Sequence, residues 1–191
     1  MRIGILALQG AFAEHSQVLG RLGAEAVTVR LPGELTGLDG LIIPGGESTT
    51  MSRLMGEYGL LQPLRELAEN GRPMLGTCAG MILMAKSVLD FGLPTLGLMD
   101  ITVRRNAFGS QVDSFEADLE VPALGHPSFR AVFIRAPVIQ QASAAVEILA
   151  RLPDGKPVAA RQGKLLAVAF HPELKSDLRM HRYFLDIVAS R

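Results

Sequence analysis

A single cysteine, Cys78, is the residue of this chain best suited to nucleophilic chemistry. It lies in Gly76–Gly80, between a short apolar run that ends at Leu75 and a helix-like run over Met81–Lys86. A glycine-x-nucleophile-x-glycine segment between a strand and a helix is typical of a nucleophile elbow, which raises the nucleophile above a sheet. The start of the following helix also stabilises a thiolate through its free amides and dipole. The sequence therefore predicts a reactive cysteine, although a lone cysteine is often a small buried hydrophobic residue.

A possible partner for this cysteine stands near the other end of the chain. Lys164–Phe170 is a nearly continuous apolar run, as expected for a strand covered on both faces, and it leads directly into His171 and Glu173. Residues i and i+2 of an extended chain point to the same side, and the intervening Pro172 stiffens the pair. A carboxylate beside an imidazole can set its tautomer and stabilise its charged form, as in a catalytic triad. The alternative is a strand-terminating turn with a surface histidine and an unrelated acid.

The composition favours a compact enzyme and argues against several other classes of protein. The 191 residues are 48% hydrophobic and 20% charged, which predicts one ordered domain over residues 1–191. Nineteen basic and nineteen acidic side chains give a formal net charge of zero. The sequence has no dense basic cluster of the kind that binds nucleic acid. No run approaches the length of about 20 apolar residues that a membrane span needs. One cysteine cannot form an internal disulfide, which fits a reducing compartment, and we expect a cytoplasmic protein.

Apolar runs and amphipathic stretches alternate along the first half of the chain. Strands are predicted over Ile3–Leu8, Ala26–Arg30 and Leu38–Ile43, and helices over Phe12–Leu22 and from Ser48 to Asn70, with a break near Tyr58. This alternation predicts an α/β fold with three layers, in which an open, mostly parallel sheet carries helices on both faces.

The second half of the chain is different, because β-type segments follow one another without a clear helix. These segments include Ile101–Arg104, Ser114–Leu119 and Ala131–Ile134, followed by a hairpin of Val146–Leu152 with Pro157–Arg161. We therefore expect antiparallel strands from the middle of the chain, and a final helix over Ser176–Ala189.

A third candidate element is the glycine-containing loop Pro44–Thr50, which follows a predicted strand. Two glycines and a run of cap-type residues make a loop whose amides can converge on an anion, although Ser48 or Thr49 also suits an ordinary helix cap. The loop lacks the lysine of a phosphate-binding loop. In an open α/β sheet the loops at the carboxyl ends of the strands line the ligand crevice, and Gly10, Cys78 and His171 occupy such ends as well.

The other histidines give no sign of a metal site. We expect His15 on the exposed face of the first helix or at a partner interface, His126 in a turn and His181 in the last helix. None of them has metal-ligand spacing with cysteines or carboxylates, so no metal is predicted.

Together these segments resemble the class I, triad-type glutamine amidotransferases. More narrowly, they resemble the family of glutaminase subunits of pyridoxal phosphate synthase. The resemblance spans nearly the whole chain and rests on Leu8–Gly10, Pro44–Thr50, Gly76–Gly80, Arg105–Gly109, Phe133–Pro137 and Phe170–Glu173.

The resemblance implies a reaction and a role for each site residue. Glutamine would be hydrolysed to glutamate and ammonia through a glutamyl thioester, without a cofactor. The implied catalytic residues are Cys78, His171 and Glu173. The implied substrate-binding residues are Gly46, Glu47, Ser48, Arg105, Ile134 and Arg135. Developing oxyanion charge needs amide donors at about 3 Å, and the candidates are the amides of Gly10, Gly45, Gly46 and Ala79.

The resemblance also implies a partner, and we expect this single domain to hold no second site in which ammonia could be used. The expected partner is a separate synthase subunit that takes the ammonia through a channel and builds pyridoxal phosphate, docking near Gly10 and the first helix. Three other functions remain open: a glutaminase for another acceptor, a related cysteine hydrolase such as a γ-glutamyl hydrolase, and a catalytically silent subunit that only binds glutamine.

Overall fold

Alternation of strands and helices organises the first half of the molecule, and strands dominate the second half. A computed structural model describes residues 1–109 and 113–190. Its elements are, in chain order, β1 (Arg2–Leu6), α1 (Phe12–Arg21), β2 (Glu25–Val29), β3 (Gly40–Ile43), α2 (Ser48–Glu57), α3 (Leu61–Glu69), β4 (Met74–Thr77), α4 (Ala79–Met84), β5 (Ala85–Leu89), β6 (Met99–Arg104), β7 (Ser114–Leu119), β8 (Phe129–Ile134), β9 (Val138–Ala142), β10 (Glu147–Arg151), β11 (Pro157–Gln162), β12 (Leu165–Val168) and α5 (Arg179–Ala189).

The main sheet has seven strands in the order β10-β11-β12-β4-β3-β1-β2. The neighbours β2, β1, β3, β4 and β12 run parallel, and β11 and β10 continue the sheet antiparallel. All residues of β3 and β4 are buried, as expected for central strands covered on both faces. The predicted α/β fold with a mostly parallel central sheet is confirmed.

The middle of the chain forms two smaller sheets. One contains β5, β6 and β9, and the other is the antiparallel pair β7 and β8. The final helix, expected from Ser176, begins at Arg179. The helix expected over Met81–Lys86 ends at Met84, and strand β5 begins at the next residue. Ala85 is already extended, and the exposed Lys86 bonds to Asp100 on the neighbouring strand β6 at 2.8 Å. Pairing with β6 therefore replaces a second helical turn.

The buried hydrophobic side chains form one cluster that reaches from β1 to α5. The single domain expected over residues 1–191 stays a prediction. Among the helices of residues 1–109 and 113–190, none is long and apolar enough to cross a bilayer.

Close backbone packing explains why glycines flank the cysteine. A Cβ on Gly80 would overlap the carbonyl oxygen of Ile43 on the neighbouring strand β3. A Cβ on Gly76 would lie 2.6 Å from Sδ of Met84 and 2.7 Å from the carbonyl carbon of Gly80. The turn between β4 and α4 therefore lies directly against the sheet, and only glycine allows that approach.

We expect Gly80→Ala to destabilise the protein by at least about 2 kcal/mol, because the new methyl group meets a backbone carbonyl that cannot move aside. Gly56→Ala is the matched control: nothing lies within 4 Å of its Cβ position in helix α2, and it should be neutral or stabilising by up to about 1 kcal/mol. Urea denaturation measures both changes. Equal stability of the two variants would contradict the close approach at the elbow.

Candidate active site

The carboxyl ends of four parallel strands meet at one pocket of about 510 Å³. The loops after β1, β3, β4 and β12 bring residues to its wall that are far apart in the sequence: Gly10, Gly45, Gly46, Cys78 and His171. Its volume lies within the range of small-molecule sites. The predicted convergence of strand ends is therefore present.

Cys78 occupies a strained turn between β4 and α4. Its backbone has φ 48° and ψ −102°, which is rare for a residue with a side chain. Its N–H donates to the carbonyl oxygen of Val168 on β12 at 2.8 Å, which holds the turn onto the sheet. The side chain lines the pocket, and its Sγ lies 3.7 Å from the carbonyl oxygen of Ile134. The sulfur is thus held at a pocket wall, although the residue is only 6% exposed.

His171 and Cys78 lie next to each other at the pocket wall, both beside Gly45. A Cβ on Gly45 would collide with the imidazole of His171 and lie 3.3 Å from Cβ of Cys78. The backbone N–H of His171 donates to Val132 of β8 at 2.9 Å, and its Nδ1 lies 2.7 Å from Oε1 of Glu173. The imidazole of His171 therefore lies between the thiol of Cys78 and the carboxylate of Glu173.

The surroundings of His171 favour its protonated form. Burial alone would lower its pKa, but hydrogen bonds to Cys78 and Glu173, together with their charges, outweigh burial and raise the pKa to about 10. At neutral pH this geometry favours an imidazolium beside the sulfur.

The loop after β3 is held by the side chain of Glu47. Its carboxylate accepts hydrogen bonds from the N–H groups of Thr49 and Thr50 at 3.0 and 2.7 Å and so caps α2. Burial opposes ionisation, but these hydrogen bonds prevail and lower the pKa of Glu47 to about 2. The suggestion that Ser48 or Thr49 caps this helix is wrong, because the side chain that accepts these hydrogen bonds is that of Glu47. The amide of Glu47 in turn donates to the side-chain oxygen of Gln9.

The peptide between Gly45 and Gly46 lies beside the loop after β1. The N–H of Ala11 donates to the carbonyl oxygen of Gly45 at 3.0 Å, and a Cβ on Gly10 would overlap that oxygen. Because the two polar groups of a trans peptide point in opposite directions, the N–H of Gly46 is directed away from Ala11. Gly10, Gly45 and Gly46 all line the pocket, and Ala79 begins α4 directly after the cysteine.

Comparison with known proteins agrees with this geometry. Residues 5–190 match the model of the SNO glutamine amidotransferase family. The chain belongs to this family. It is 59% identical over 186 residues to pyridoxal 5'-phosphate synthase subunit PdxT of Pelotomaculum thermopropionicum, which covers 97% of this chain and 94% of that protein.

Two further matches extend over nearly the whole chain. PdxT of Moorella thermoacetica is 57% identical over 188 residues, covering 98% of this chain and all of that protein. A crystal structure of a glutamine amidotransferase superposes with a TM-score of 0.92 at 52% identity, covering 98% of both chains.

The residues that the family resemblance assigned to substrate binding all lie around the same pocket: Gly46, Glu47, Ser48, Arg105, Ile134 and Arg135. Nη2 of Arg105 lies 3.7 Å from Oε1 of Glu47 and 3.5 Å from Oγ1 of Thr49, and its guanidinium stacks over Phe91 at 4.9 Å from the ring centroid. Arg135 has φ 43° and is exposed. Arg105 and Arg135 thus directly follow β6 and β8, which belong to different small sheets, and both line one cavity.

Sequence reasoning missed the buried polar residues behind Glu173. His15 was expected at the surface or at an interface, but its exposure is 0%, as is that of His181 and Thr77. His15 shares the buried face of α1 with Val18 and Leu19, so helical spacing was the signal that could have located it. Within residues 1–109 and 113–190, no group of three His, Cys, Asp or Glu side chains could hold a metal ion.

We expect Glu173→Gln to lower the pKa of His171 by about one to two pH units, because the neutral amide removes a negative charge from Nδ1. Histidine ring signals in an NMR titration measure the change, and a His171→Gln variant assigns the signal. Glu120→Gln, which neutralises an exposed carboxylate, should leave it in place. An unchanged His171 titration in Glu173→Gln would show that the carboxylate does not act on this imidazole.

Proposed function

We propose that the protein is a glutaminase that hydrolyses L-glutamine to L-glutamate and ammonia and supplies the ammonia to pyridoxal 5'-phosphate synthesis. The observation that carries the proposal is the contact of Cys78, His171 and Glu173 beside one pocket in a member of a glutamine amidotransferase family. A thiol, an imidazole and a carboxylate in this order form the constellation that acyl transfer to a cysteine requires.

The first half of the reaction forms a thioester. The sulfur of Cys78 attacks the side-chain amide carbon of glutamine, and the carbonyl oxygen takes the negative charge. His171 gives the proton it holds to the amide nitrogen, the carbon–nitrogen bond breaks, and ammonia leaves. In the second half, water adds to the thioester carbon while His171 accepts its proton, and the carbon–sulfur bond breaks to release glutamate. The proton count on His171 is restored after each turnover.

Three further groups suit the charges that this reaction develops. The amides of Ala79 and Gly46 are our candidates for the donors to the oxyanion, with those of Gly45 and Gly10 nearby. Arg105 and Arg135 suit the α-carboxylate of glutamine, because a guanidinium can hold a carboxylate with two parallel hydrogen bonds. The carboxylate of Glu47 is occupied in capping α2, so its proposed contribution is to fix the loop and the position of Arg105.

The names of the relatives support a synthase subunit as the partner. Because proteins 57–59% identical to this chain are named subunits of pyridoxal 5'-phosphate synthase, we place the chain in such a complex, with a synthase subunit as the acceptor of ammonia. We place the complex in the cytoplasm, where a free thiol persists. A glutaminase with another acceptor subunit is the alternative, and co-purification of the natural partner decides between them.

We expect Cys78→Ala to abolish glutamate and ammonia production in the presence of the synthase subunit, because no other side chain can form the thioester. The chain has one cysteine, so a glutamine-like electrophile should add one equivalent of label to the parent and none to the variant. Both are read by mass spectrometry beside an ammonia assay. Continued glutamate production by the pure Cys78→Ala variant would overturn the assignment.

We expect Arg105→Gln to raise KM for glutamine by about 10-fold or more with a smaller change in kcat, because the lost guanidinium is a binding group that does not touch the reacting bond. Arg104→Gln is the matched control, since the neighbouring arginine is exposed and lies outside the pocket wall. Steady-state kinetics over a range of glutamine concentrations separates the two constants. If both variants have the same KM as the parent, Arg105 does not bind the substrate.

A further inference from the structure

Behind the carboxylate of Glu173 lies a group of buried polar side chains that the proposed chemistry does not use. His15, Thr77 and His181 each have an exposure of 0% and come from α1, β4 and α5. Buried polar groups of this kind are costly unless they are paired. Three elements of the fold therefore contribute a polar side chain to one point next to the triad.

The distances join these groups into a chain that ends at Glu173. Nδ1 of His15 lies 2.8 Å from Nε2 of His181, and Nε2 of His15 lies 3.3 Å from Oγ1 of Thr77 and 3.4 Å from Oε2 of Glu173. Oε1 of Glu173 is engaged with His171, whereas Oε2 accepts no hydrogen bond within the part of the chain that the structure describes. A small rotation of the His15 ring would turn its N–H from the hydroxyl to this oxygen.

The chemistry of the groups fixes the direction of the hydrogen bonds. A carboxylate only accepts, so the nitrogen of His15 that faces Glu173 must carry the hydrogen. Nδ1 of His15 is then an acceptor, and Nε2 of His181 donates to it. This leaves Nδ1 of His181 as a bare acceptor, and that atom has no hydrogen-bond partner among the described residues. The assignment avoids a buried N–H without an acceptor.

Both histidines are neutral in this arrangement. Burial lowers the pKa of His15 well below its ordinary value, and the charges of His181 and His171 lower it further. Burial also lowers the pKa of His181 to about 4. The titratable groups that face Glu173 are therefore His171 from its own turn and His15 from α1. Among the other charged groups on the elements packed against this turn, Glu14 is exposed. Arg130 and Lys175 are paired with acidic residues of β7.

We propose that His15, backed by His181, is a positioning residue that holds the second carboxylate oxygen of Glu173 and so fixes the orientation of Glu173 toward His171. Holding a carboxylate at both oxygens stops its rotation, which keeps Oε1 on the imidazole while the proton moves. The inference rests on the proposed glutaminase reaction, since it assigns a task within that triad.

Two substitutions separate a hydrogen-bond donor from a space-filling side chain. His15→Leu removes the donor. His15→Gln keeps an N–H close to the position of Nε2. We expect His15→Leu to lower kcat by about 10- to 100-fold with little change in KM, as for other residues that orient a reacting group. The His171 pKa should also fall, as seen in an NMR titration. His15→Gln should keep the His171 pKa and recover most of the activity.

Val18→Ala is the matched control for stability, because Val18 lies on the same buried face of α1. It should lower the melting temperature without moving the His171 titration. If His15→Leu does not fold, His15→Asn replaces it, since its shorter amide fails to reach Oε2. Equal kcat and equal His171 titration in the Gln variant and the donor-deficient variant would overturn the proposal.

The outcomes also separate this inference from the proposed function. A parent protein that releases ammonia through Cys78, with His15→Leu unchanged in kcat and in His171 titration, contradicts only the role of His15. A parent that releases no ammonia with the synthase present contradicts the proposed function, and the His171 titration still tests whether His15 acts through Glu173.

Discussion

The site depends on a backbone that is forced into an unfavourable conformation at Cys78. A residue with a side chain at φ 48° costs of order 1–3 kcal/mol and persists only where its surroundings determine it fully. Here the hydrogen bond to Val168 fixes the turn on one side, and the contact of Gly80 with the carbonyl of Ile43 fixes it on the other. The central strands therefore supply the rigidity that holds the sulfur at the pocket wall.

A second constraint is the burial of charge beside that sulfur. The Glu173 side chain is completely buried and the His171 side chain is 9% exposed, so little water reaches either group. A buried carboxylate is stable only when it is paired, and an imidazolium at 2.7 Å is a suitable partner. The hydrogen bond to Cys78 and the pairing with Glu173 together raise the pKa of His171 against the effect of burial. The contact with Glu173 therefore serves both folding and the proposed acid–base chemistry.

Local sequence patterns were sufficient for the alternating strands and helices of the first half and for the turns that require glycine. Strand-end position located Cys78, His171 and the loop at Gly45, because parallel strands must place these ends together. The helix expected through Lys86 failed because pairing with β6 is a contact between distant segments, which no local pattern records. His15 was misplaced for a related reason: one histidine in an amphipathic helix does not reveal that Glu173 and His181 will converge on it.

The two halves of the chain contribute different properties to the pocket. The parallel sheet provides the proposed nucleophile and acid–base pair, all held by buried strands. The irregular middle provides Arg105 and Arg135, which follow strands of the two smaller sheets. Asn106 and Arg135 have positive φ there, and both line the cavity. Rigid elements suit groups that must stay aligned to within a fraction of an ångström, and loops suit groups that recognise the ends of a substrate. The proposed reacting groups therefore lie at the ends of buried strands, and the proposed substrate-binding arginines lie on the segments between the smaller sheets.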